Sequence, residues 1–190
     1  GTGDLVEEFS RTNPNVRLVR HDKNQGYGGA VTSGLRSARG DYVCFMDSDG
    51  QFSLLDLPQL LGRLHNNDVV IGFRHQRVEA WPRRFNAWAW NRLIRTLLDV
   101  RVRDLDCAFK IFGRSVVDRL SLTATGACIN AEIMAQCIRG NLSISEVPVA
   151  HFPRLHGDAT GANYRVILRA FRELPQLLKY RQSSLLLGDN

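Results

Sequence analysis

The chain has 190 residues, of which 44% are hydrophobic and 23% charged, and this ordinary composition excludes disordered, collagen-like and coiled-coil proteins. No apolar run reaches the roughly 18–20 residues of a membrane-spanning helix, so we expect none of these residues to cross a membrane. The net charge is +6, and arginine supplies all but three of the 25 basic residues. Because a guanidinium binds phosphate at two points, this bias suits anionic ligands, although a GC-rich genome would explain it equally well.

In chain order, the first 72 residues predict alternating helices and strands. The predicted helices are 4–10, 30–35 and 54–65, and the predicted strands are 16–21, 42–46 and 68–72. This alternation predicts an α/β fold whose sheet is mostly parallel. Ligands of such sheets bind beyond the carboxyl ends of the strands, so the connections that follow strands are where we expect the functional residues.

The rest of the chain predicts fewer strands. We expect helices at 81–98, 130–139 and 164–180, strands at 107–112 and 143–150, and a loop at 151–162. Pro175 should kink the last helix. We assign residues 1–162 to one domain and residues 163–190 to an amphipathic helix and tail. That helix could lie on an anionic membrane surface or pack on the protein's own core, and the sequence favours neither.

The four cysteines lie in predicted strands and helices, without a Cys-x-x-Cys pair or the histidine spacing of a zinc site; they are Cys44, Cys107, Cys128 and Cys137. We expect reduced core residues of a cytosolic protein rather than disulfides.

The sharpest candidate site is the acidic turn, Asp47-Ser48-Asp49-Gly50-Gln51, directly after the strand at 42–46. Asp47 and Asp49 can share a hard divalent cation, with the amide oxygen of Gln51 as a further ligand and with water and phosphate oxygens completing the shell. We expect the three side chains to converge at the sheet edge. A solvated Asp-rich turn is the alternative.

Other polar residues are weaker candidates. Arginines that follow the strand at 68–72 could hold a diphosphate or form a solvated basic face; they are Arg74, Arg77, Arg83 and Arg84. The acid/base candidates are Asp104, Asp106 and Glu132. The glycines at 26–29 lack a dinucleotide-binding pattern and are better explained as residues that ease a helix against the sheet. Trp81, Trp88 and Trp90 could be core or cover a sugar or lipid, and His151 and His156 receive no role.

Several ordered segments resemble family 2 glycosyltransferases, specifically the polyprenyl-phosphate branch typified by dolichol-phosphate mannose synthase. They are Asn24-Gln25-Gly26-Tyr27-Gly28-Gly29-Ala30, Ala38-Arg39-Gly40-Asp41-Tyr42-Val43, Phe45-Met46 with the acidic turn, Asn91-Arg92-Leu93, Asp106-Cys107-Ala108-Phe109-Lys110, Asn130-Ala131-Glu132 and Glu146-Val147-Pro148-Val149. The likeness extends to about residue 161.

The resemblance implies a GT-A fold, a nucleotide-sugar donor, Mg²⁺ or Mn²⁺, and inverting transfer. The acidic turn would hold the metal and donor diphosphate, Arg74 and Arg83, with Arg84 beside them, would bind phosphates, and Arg154 would lie on a loop closing over the site. Glu132 would be a structural or acceptor-side carboxylate. A lipid-phosphate acceptor is already anionic and needs no general base, whereas an alcohol would need one, Asp106 or Asp104 being nearest.

The chain departs from the family pattern in three places. Ala87 stands where a serine is common, and residues 157–160 lack the usual lysine. The chain also starts where the family's second conserved motif would have ended, so we expect the first, nucleotide-binding strands to be missing. The sheet should then have a gap beside 16–19 and 42–46, which a second copy could fill by strand exchange, and nucleotide-sugar affinity should be low.

Three rival functions remain. A nucleotidyltransferase would want a glycine- and lysine-rich N-terminal loop, which this sequence lacks. A nucleic-acid-binding domain would concentrate its arginines on one face, whereas these are spread along the chain, so we expect no nucleic-acid partner. A non-catalytic nucleotide-sugar-binding module needs nearly the same residues as the enzyme. With a lipid-phosphate acceptor, we expect peripheral contact with the cytoplasmic face of a membrane.

Overall fold

The computed structural model describes residues 1–75, 81–154 and 164–182, with only the backbone described at 81–87, 164–169, 179 and 181–182. These residues form helices α1 (Thr2–Thr12), α2 (Gly26–Ser37), α3 (Leu57–Leu64), α4 (Trp81–Leu98), α5 (Arg114–Arg119), α6 (Ile129–Arg139) and α7 (Tyr164–Gln182). The strands are β1 (Tyr42–Met46), β2 (Val69–Arg74), β3 (Phe109–Gly113) and β4 (Ile144–Val149), and Leu54–Asp56 form a 3₁₀ turn before α3.

The four strands form one sheet in the order β1-β3-β2-β4. Strand β2 is parallel to β4, whereas β3 runs antiparallel to both β1 and β2. The α/β class is therefore confirmed, but the sheet is mixed where we expected a mostly parallel one. The reason is that a strand buried on both faces reads as the same apolar run in either direction, so the sequence of β3 does not encode its orientation.

The core has a layer on each face of the sheet. Val69 and Ile71 of β2 face the layer that contains α2, α4, α6 and α7, whereas Val70 between them faces α3. Leu60 of α3 is completely buried in that second layer. Burying one such side chain contributes about 1.5–3 kcal/mol, so α3 is held mainly by its apolar stripe. The two layers fix the strand ends from which the candidate site is built.

One predicted strand is absent. Residues 16–21 are irregular, although their alternating pattern predicts a strand. Alternation gives a strand only where a neighbour supplies backbone hydrogen bonds, and no strand in the described ranges pairs with this segment. Instead, Arg20 binds Asp4 of α1 at 2.8 Å. Strand β1 is likewise paired only with β3 among the described residues, and Cys44 on it is exposed rather than in the core.

The remaining three cysteines are buried and, like Cys44, unbridged. The glycine segment begins α2, and the backbone N–H of Gly28 donates to the carbonyl of Thr125 at 2.9 Å. A Cβ atom on Gly28 would lie 2.3 Å from the carbonyl oxygen of Ala124. Gly28 therefore permits a close approach of α2 to the loop at 124–125, whereas the role expected for these glycines, easing the helix against the sheet, stays a prediction.

Helix α7 packs on α4 and α6 and continues through Pro175. Ala170 and Leu177 are buried, and Trp90 of α4 meets Phe171 edge-on with 6.3 Å between ring centroids. Packing on the protein's own core is thus what the structure supports for this helix. Trp88 is 61% exposed, so it is not a core residue. In the part of the chain that is described, no helix has both the length and the apolarity to span a bilayer.

Candidate active site

The acidic turn lies at the carboxyl end of β1, at the edge where the sequence predicts the site. The backbone N–H of Gln51 donates to Asp49 Oδ1 at 3.1 Å, and Gly50 between them has a positive φ of 75°. A positive φ costs glycine little, so this residue allows the chain to reverse directly after the strand. The local hydrogen bond and the glycine therefore hold the two carboxylates at the strand end.

Arg154 lies on the acidic turn. Its Nη2 is 2.6 Å from Asp49 Oδ2 and 3.5 Å from Gln51 Oε1. Gln51 also holds the arginine's own segment, because its Nε2 donates to the carbonyl of Phe152 at 3.2 Å and its carbonyl accepts from the Phe152 N–H at 3.0 Å. Arg154 therefore contacts the acidic turn, as the resemblance implies. Its binding to phosphates remains a prediction.

Asp47, like Asp49, is half-buried in the acidic turn. Burial raises the pKa of Asp47, the hydrogen bond from Tyr27 partly opposes that rise, and the neighbouring charge of Asp49 adds to it. The Tyr27 hydroxyl donates to Asp47 Oδ1 at 3.2 Å, and burial also raises the pKa of Tyr27. Sequence reasoning gave Tyr27 no role, although its place in the glycine segment was a signal.

Lys110 is the second functional candidate that the sequence analysis missed. It is fully buried in β3, and its Nζ donates to the carbonyls of Leu105 (3.1 Å) and Cys107 and to Asn130 Oδ1 (2.9 Å). Burial lowers the pKa of Lys110, and the nearby carboxylates, including Asp47, oppose that change. A lysine inside an apolar strand was the available signal. Its ammonium joins the loop before β3 to α6 beneath the acidic turn.

Arg74 and Asp104 form a buried, two-point ion pair. The Nε and Nη2 atoms of Arg74 lie 2.7 and 2.8 Å from the two oxygens of Asp104, and the Arg74 backbone N–H donates to Oδ2 at 3.2 Å. The side chains are only 10% and 4% exposed. This pair fixes the loop before β3 to the end of β2. Binding of phosphate by Arg74 stays a prediction.

The other acidic candidates separate into a site residue and a structural one. Asp106 is half-buried, accepts a long 3.5 Å hydrogen bond from Asn91 Nδ2, and contributes to the electrostatics of both Tyr27 and Lys110. Glu132 is fully buried and accepts four hydrogen bonds, from the N–H groups of residues 123 and 124 and the hydroxyls of residues 123 and 180. These contacts favour the structural role for Glu132 over the acceptor-side role.

Several predicted site residues are not described in the structure. Arg83, Arg84 and Ala87 lie on α4, but the structure describes only their backbone; Arg77, His156 and residues 157–160 lie outside the described residues altogether. His151 lies beside the ring of Phe52, with centroids 5.6 Å apart.

The residues of the acidic turn fit a hard divalent cation in their chemistry. Asp47, Asp49 and Gln51 offer carboxylate and amide oxygens, which Mg²⁺ and Mn²⁺ prefer. Among the described residues, no group of three or more His, Cys, Asp or Glu side chains could hold a metal. A metal here would therefore need oxygens from water or a bound diphosphate. Arg154 already places a positive charge against these oxygens.

Comparison with known proteins decides the family. Residues 1–124 match Glycosyl transferase family 2. The chain belongs to this family. It is 28% identical over 159 residues to the dodecaprenyl-phosphate galacturonate synthase of Rhizobium johnstonii, covering 80% of this chain and 47% of that protein. It is 27% identical over 170 residues to the undecaprenyl-phosphate mannosyltransferase of Micrococcus luteus, covering 84% and 70%.

A solved structure shows the same fold. Glucosyl-3-phosphoglycerate synthase from Mycobacterium tuberculosis, crystallised with UDP, has a TM-score of 0.60 and 21% identity, covering 90% of this chain and 58% of that one. Another crystal of that protein contains Mn²⁺, UDP-glucose and glycerol 3-phosphate. The GT-A type of fold and the resemblance to polyprenyl-phosphate sugar transferases are thus confirmed. The chain spans about half the length of several curated relatives that it matches.

Proposed function

We propose that this family 2 chain is the catalytic part of a metal-dependent, inverting glycosyltransferase that moves a sugar from a nucleotide-sugar donor to a polyprenyl phosphate. The observation that carries the proposal is the acidic turn at the end of β1 with Arg154 held on it at 2.6 Å. Two carboxylates and a guanidinium at one strand end offer both charge types that a metal-bound diphosphate requires.

The donor side of the reaction uses the acidic turn. Asp47, Asp49 and Gln51 would hold Mg²⁺ or Mn²⁺ together with the donor diphosphate, and the bound metal supplies Lewis-acid neutralisation of that leaving group. Arg154 would exchange its Asp49 partner for a phosphate oxygen when the donor arrives. Arg83, with Arg74 and Arg84, would bind further phosphate oxygens, and the charge on the departing diphosphate would be neutralised from several sides.

The acceptor side requires little acid/base chemistry. A polyprenyl phosphate is anionic at neutral pH, so its oxygen attacks the sugar without losing a proton, and positioning carries the rate. Two curated relatives named for dodecaprenyl and undecaprenyl phosphate support this class of acceptor. Asp106, close to Tyr27 and Lys110, would be the base if the acceptor were an alcohol. A lipid acceptor would place the reaction at the cytoplasmic surface of a membrane.

The proposal also assigns the chain to two parts. Residues 1–162 would form the catalytic domain, and residues 163–190 the following helix and tail. The boundary between them falls outside the described residues. The unpaired side of β1 would be the place for a strand from elsewhere, including a second copy of this chain.

The test is sugar transfer from a panel of nucleotide sugars to undecaprenyl phosphate, with Mn²⁺ or Mg²⁺ and with excess chelator. We expect lipid-phosphate-linked sugar with one donor, and its loss in chelator. Transfer that survives chelation would overturn the metal assignment. Donor binding without any transfer would favour the non-catalytic binding module instead.

A further inference from the structure

A cationic cavity of about 470 Å³ lies at the C-terminal end of α4, outside the acidic turn. Its wall contains four arginines and one acidic residue: Arg92, Arg95, Arg101, Arg103 and Asp99. The excess of guanidinium groups in a concave surface gives the cavity a positive potential. Neither the proposed donor site nor the proposed acceptor chemistry uses these arginines.

The course of the backbone explains why arginines from α4 and from the loop at 99–103 line the same cavity. Arg92 and Arg95 are three residues apart on α4 and therefore share one face of the helix. Asp99 has a positive φ of 52°, a left-handed conformation that ends the helix and turns the chain back. The loop is then anchored by Val100 and Val102, which are 0% and 5% exposed. The arginines on either side of Val102 are thereby carried back to the cavity.

Local contacts hold these arginines before any ligand arrives. Arg95 donates to the carbonyl of Val102, and Arg101 Nε donates to Asp99 Oδ1 at 2.8 Å. The guanidinium of Arg103 lies over the ring of Phe73, 4.7 Å from its centroid. Arg103 also has a carboxylate near it, because its backbone N–H donates to Glu146 Oε1 at 2.6 Å and its Nε lies 4.0 Å from Glu146 Oε2. The Arg101 and Arg103 side chains are 85% and 67% exposed, so an anion can reach both guanidinium groups.

The arrangement has donors to spare. A guanidinium carries five N–H donors, and the contacts just described engage only part of that number. The Arg92 carbonyl accepts from the Thr96 hydroxyl at 2.9 Å, whereas its guanidinium has no hydrogen-bond or ion-pair partner among the described residues. Basic residues at a helix C-terminus also favour the helix dipole, and this accounts for Arg95. It does not account for Arg101 and Arg103, which lie in the loop after the helix.

We propose that this cavity binds a phosphate group, as an anion site separate from the acidic turn. Guanidinium groups converging from two directions are the usual recognition chemistry for phosphate oxygens. The phosphate could belong to a free phosphate compound or to a lipid headgroup, since both present the same oxygens. The loop from 99 to 103 runs directly into Asp104, the partner of Arg74, so an occupied cavity would also steady the buried ion pair.

The decisive measurement is titration of the protein with inorganic phosphate, followed through the Nε–Hε resonances of its arginines in NMR at constant ionic strength in chloride. We expect the cavity arginines to shift together and to saturate. The double variant Arg92→Gln/Arg101→Gln should weaken binding at least about tenfold. The matched control, Arg36→Gln/Arg119→Gln, removes the same charge from exposed helix ends elsewhere and should change the affinity less than twofold.

Two further arms separate the sources and the proposals. Sedimentation with phosphatidylglycerol vesicles, compared with phosphatidylcholine vesicles, shows a lipid headgroup as the source if only the cavity variant loses binding. Vesicle binding that is equal in cavity and control variants shows a free phosphate compound. An Asp49→Asn variant should keep the phosphate affinity, so failure of the transferase proposal leaves this one intact. Unshifted cavity resonances, or equal weakening in cavity and control variants, would overturn it.

Discussion

The molecule places an arginine against an aspartate at the carboxyl ends of two strands, β1 and β2, with different consequences. Arg74 and Asp104 make two short contacts, and their side chains are 10% and 4% exposed. Arg154 and Asp49 make one contact of 2.6 Å, and theirs are 30% and 19% exposed. A buried pair cannot lose a partner cheaply, whereas an accessible pair can exchange its partner for a ligand. Burial therefore separates a structural ion pair from one available for chemistry.

The largest expected effect comes from breaking the buried pair. Arg74→Ala removes the guanidinium from the buried Asp104 carboxylate, and breaking a buried ion pair by removing one partner costs about 3–5 kcal/mol of unfolding free energy. Arg154→Ala, at the accessible pair, should cost no more than about 1 kcal/mol. Urea unfolding of both variants measures the difference. Equal losses would show that the two pairs do not differ in the way that their exposure indicates.

A variant of the accessible pair tests whether the acidic turn takes part in catalysis. Asp49→Ala should reduce sugar transfer at least about 100-fold, because it would remove a ligand of the metal that neutralises the leaving diphosphate. Its unfolding free energy should fall by no more than about 1–2 kcal/mol, since Asp49 contributes the accessible pair and one local hydrogen bond from the Gln51 N–H. Asp22→Ala, at an exposed aspartate, is the matched control and should retain full activity. Full activity of the Asp49 variant would remove the acidic turn from the mechanism.

A smaller effect is expected beside the accessible pair. Tyr27→Phe removes the hydroxyl that donates to Asp47 Oδ1 at 3.2 Å and keeps the ring that contacts Phe45. One hydrogen bond of this kind contributes about 0.5–1.5 kcal/mol, so kcat/KM should fall up to about tenfold. The midpoint of thermal unfolding should fall by no more than a few degrees, since Tyr27 is 38% exposed. A tyrosine that only fills space would leave kcat/KM unchanged.

The sequence predicted the parts of this molecule that depend on local pattern. The apolar spacing of α4 gave its bounds, and the acidic turn was recognised from two aspartates after a buried run and from the family resemblance. It failed where the outcome depends on a distant neighbour. Residues 16–21 alternate correctly but have no described strand to pair with, and β3 reads identically in either direction.

Side-chain partnerships across long separations were also beyond the sequence. For Glu132 the sequence leaves a structural and an acceptor-side role open, because the residue pattern does not reveal its bonds to residues 123 and 124. The sequence gives Lys110 no role, because its hydrogen-bond acceptors lie in a loop and on α6 and cannot be read from the motif. Arg154 could be placed over the acidic turn only through the resemblance. Its closeness to Asp49, 105 residues away, is a property of the folded chain.

The smallest effect concerns pH and the cost of keeping Asp47 ionised. Burial raises the pKa of Asp47 above 3.8, so the folded state holds this proton at pH values where the unfolded chain has lost it. The group therefore makes folding less favourable as pH rises from 3.8 through its folded pKa, and the cost is complete at neutral pH. Asp47→Asn should then raise the midpoint of thermal unfolding at pH 7, while metal-dependent transfer falls. Below pH 3.8 the Asp47 carboxyl is protonated in the folded and in the unfolded protein, so the gain in the unfolding midpoint from Asp47→Asn should vanish there. Thermal melts of both proteins between pH 3 and pH 7 measure it, and a gain that does not change with pH would assign the effect to packing rather than to charge.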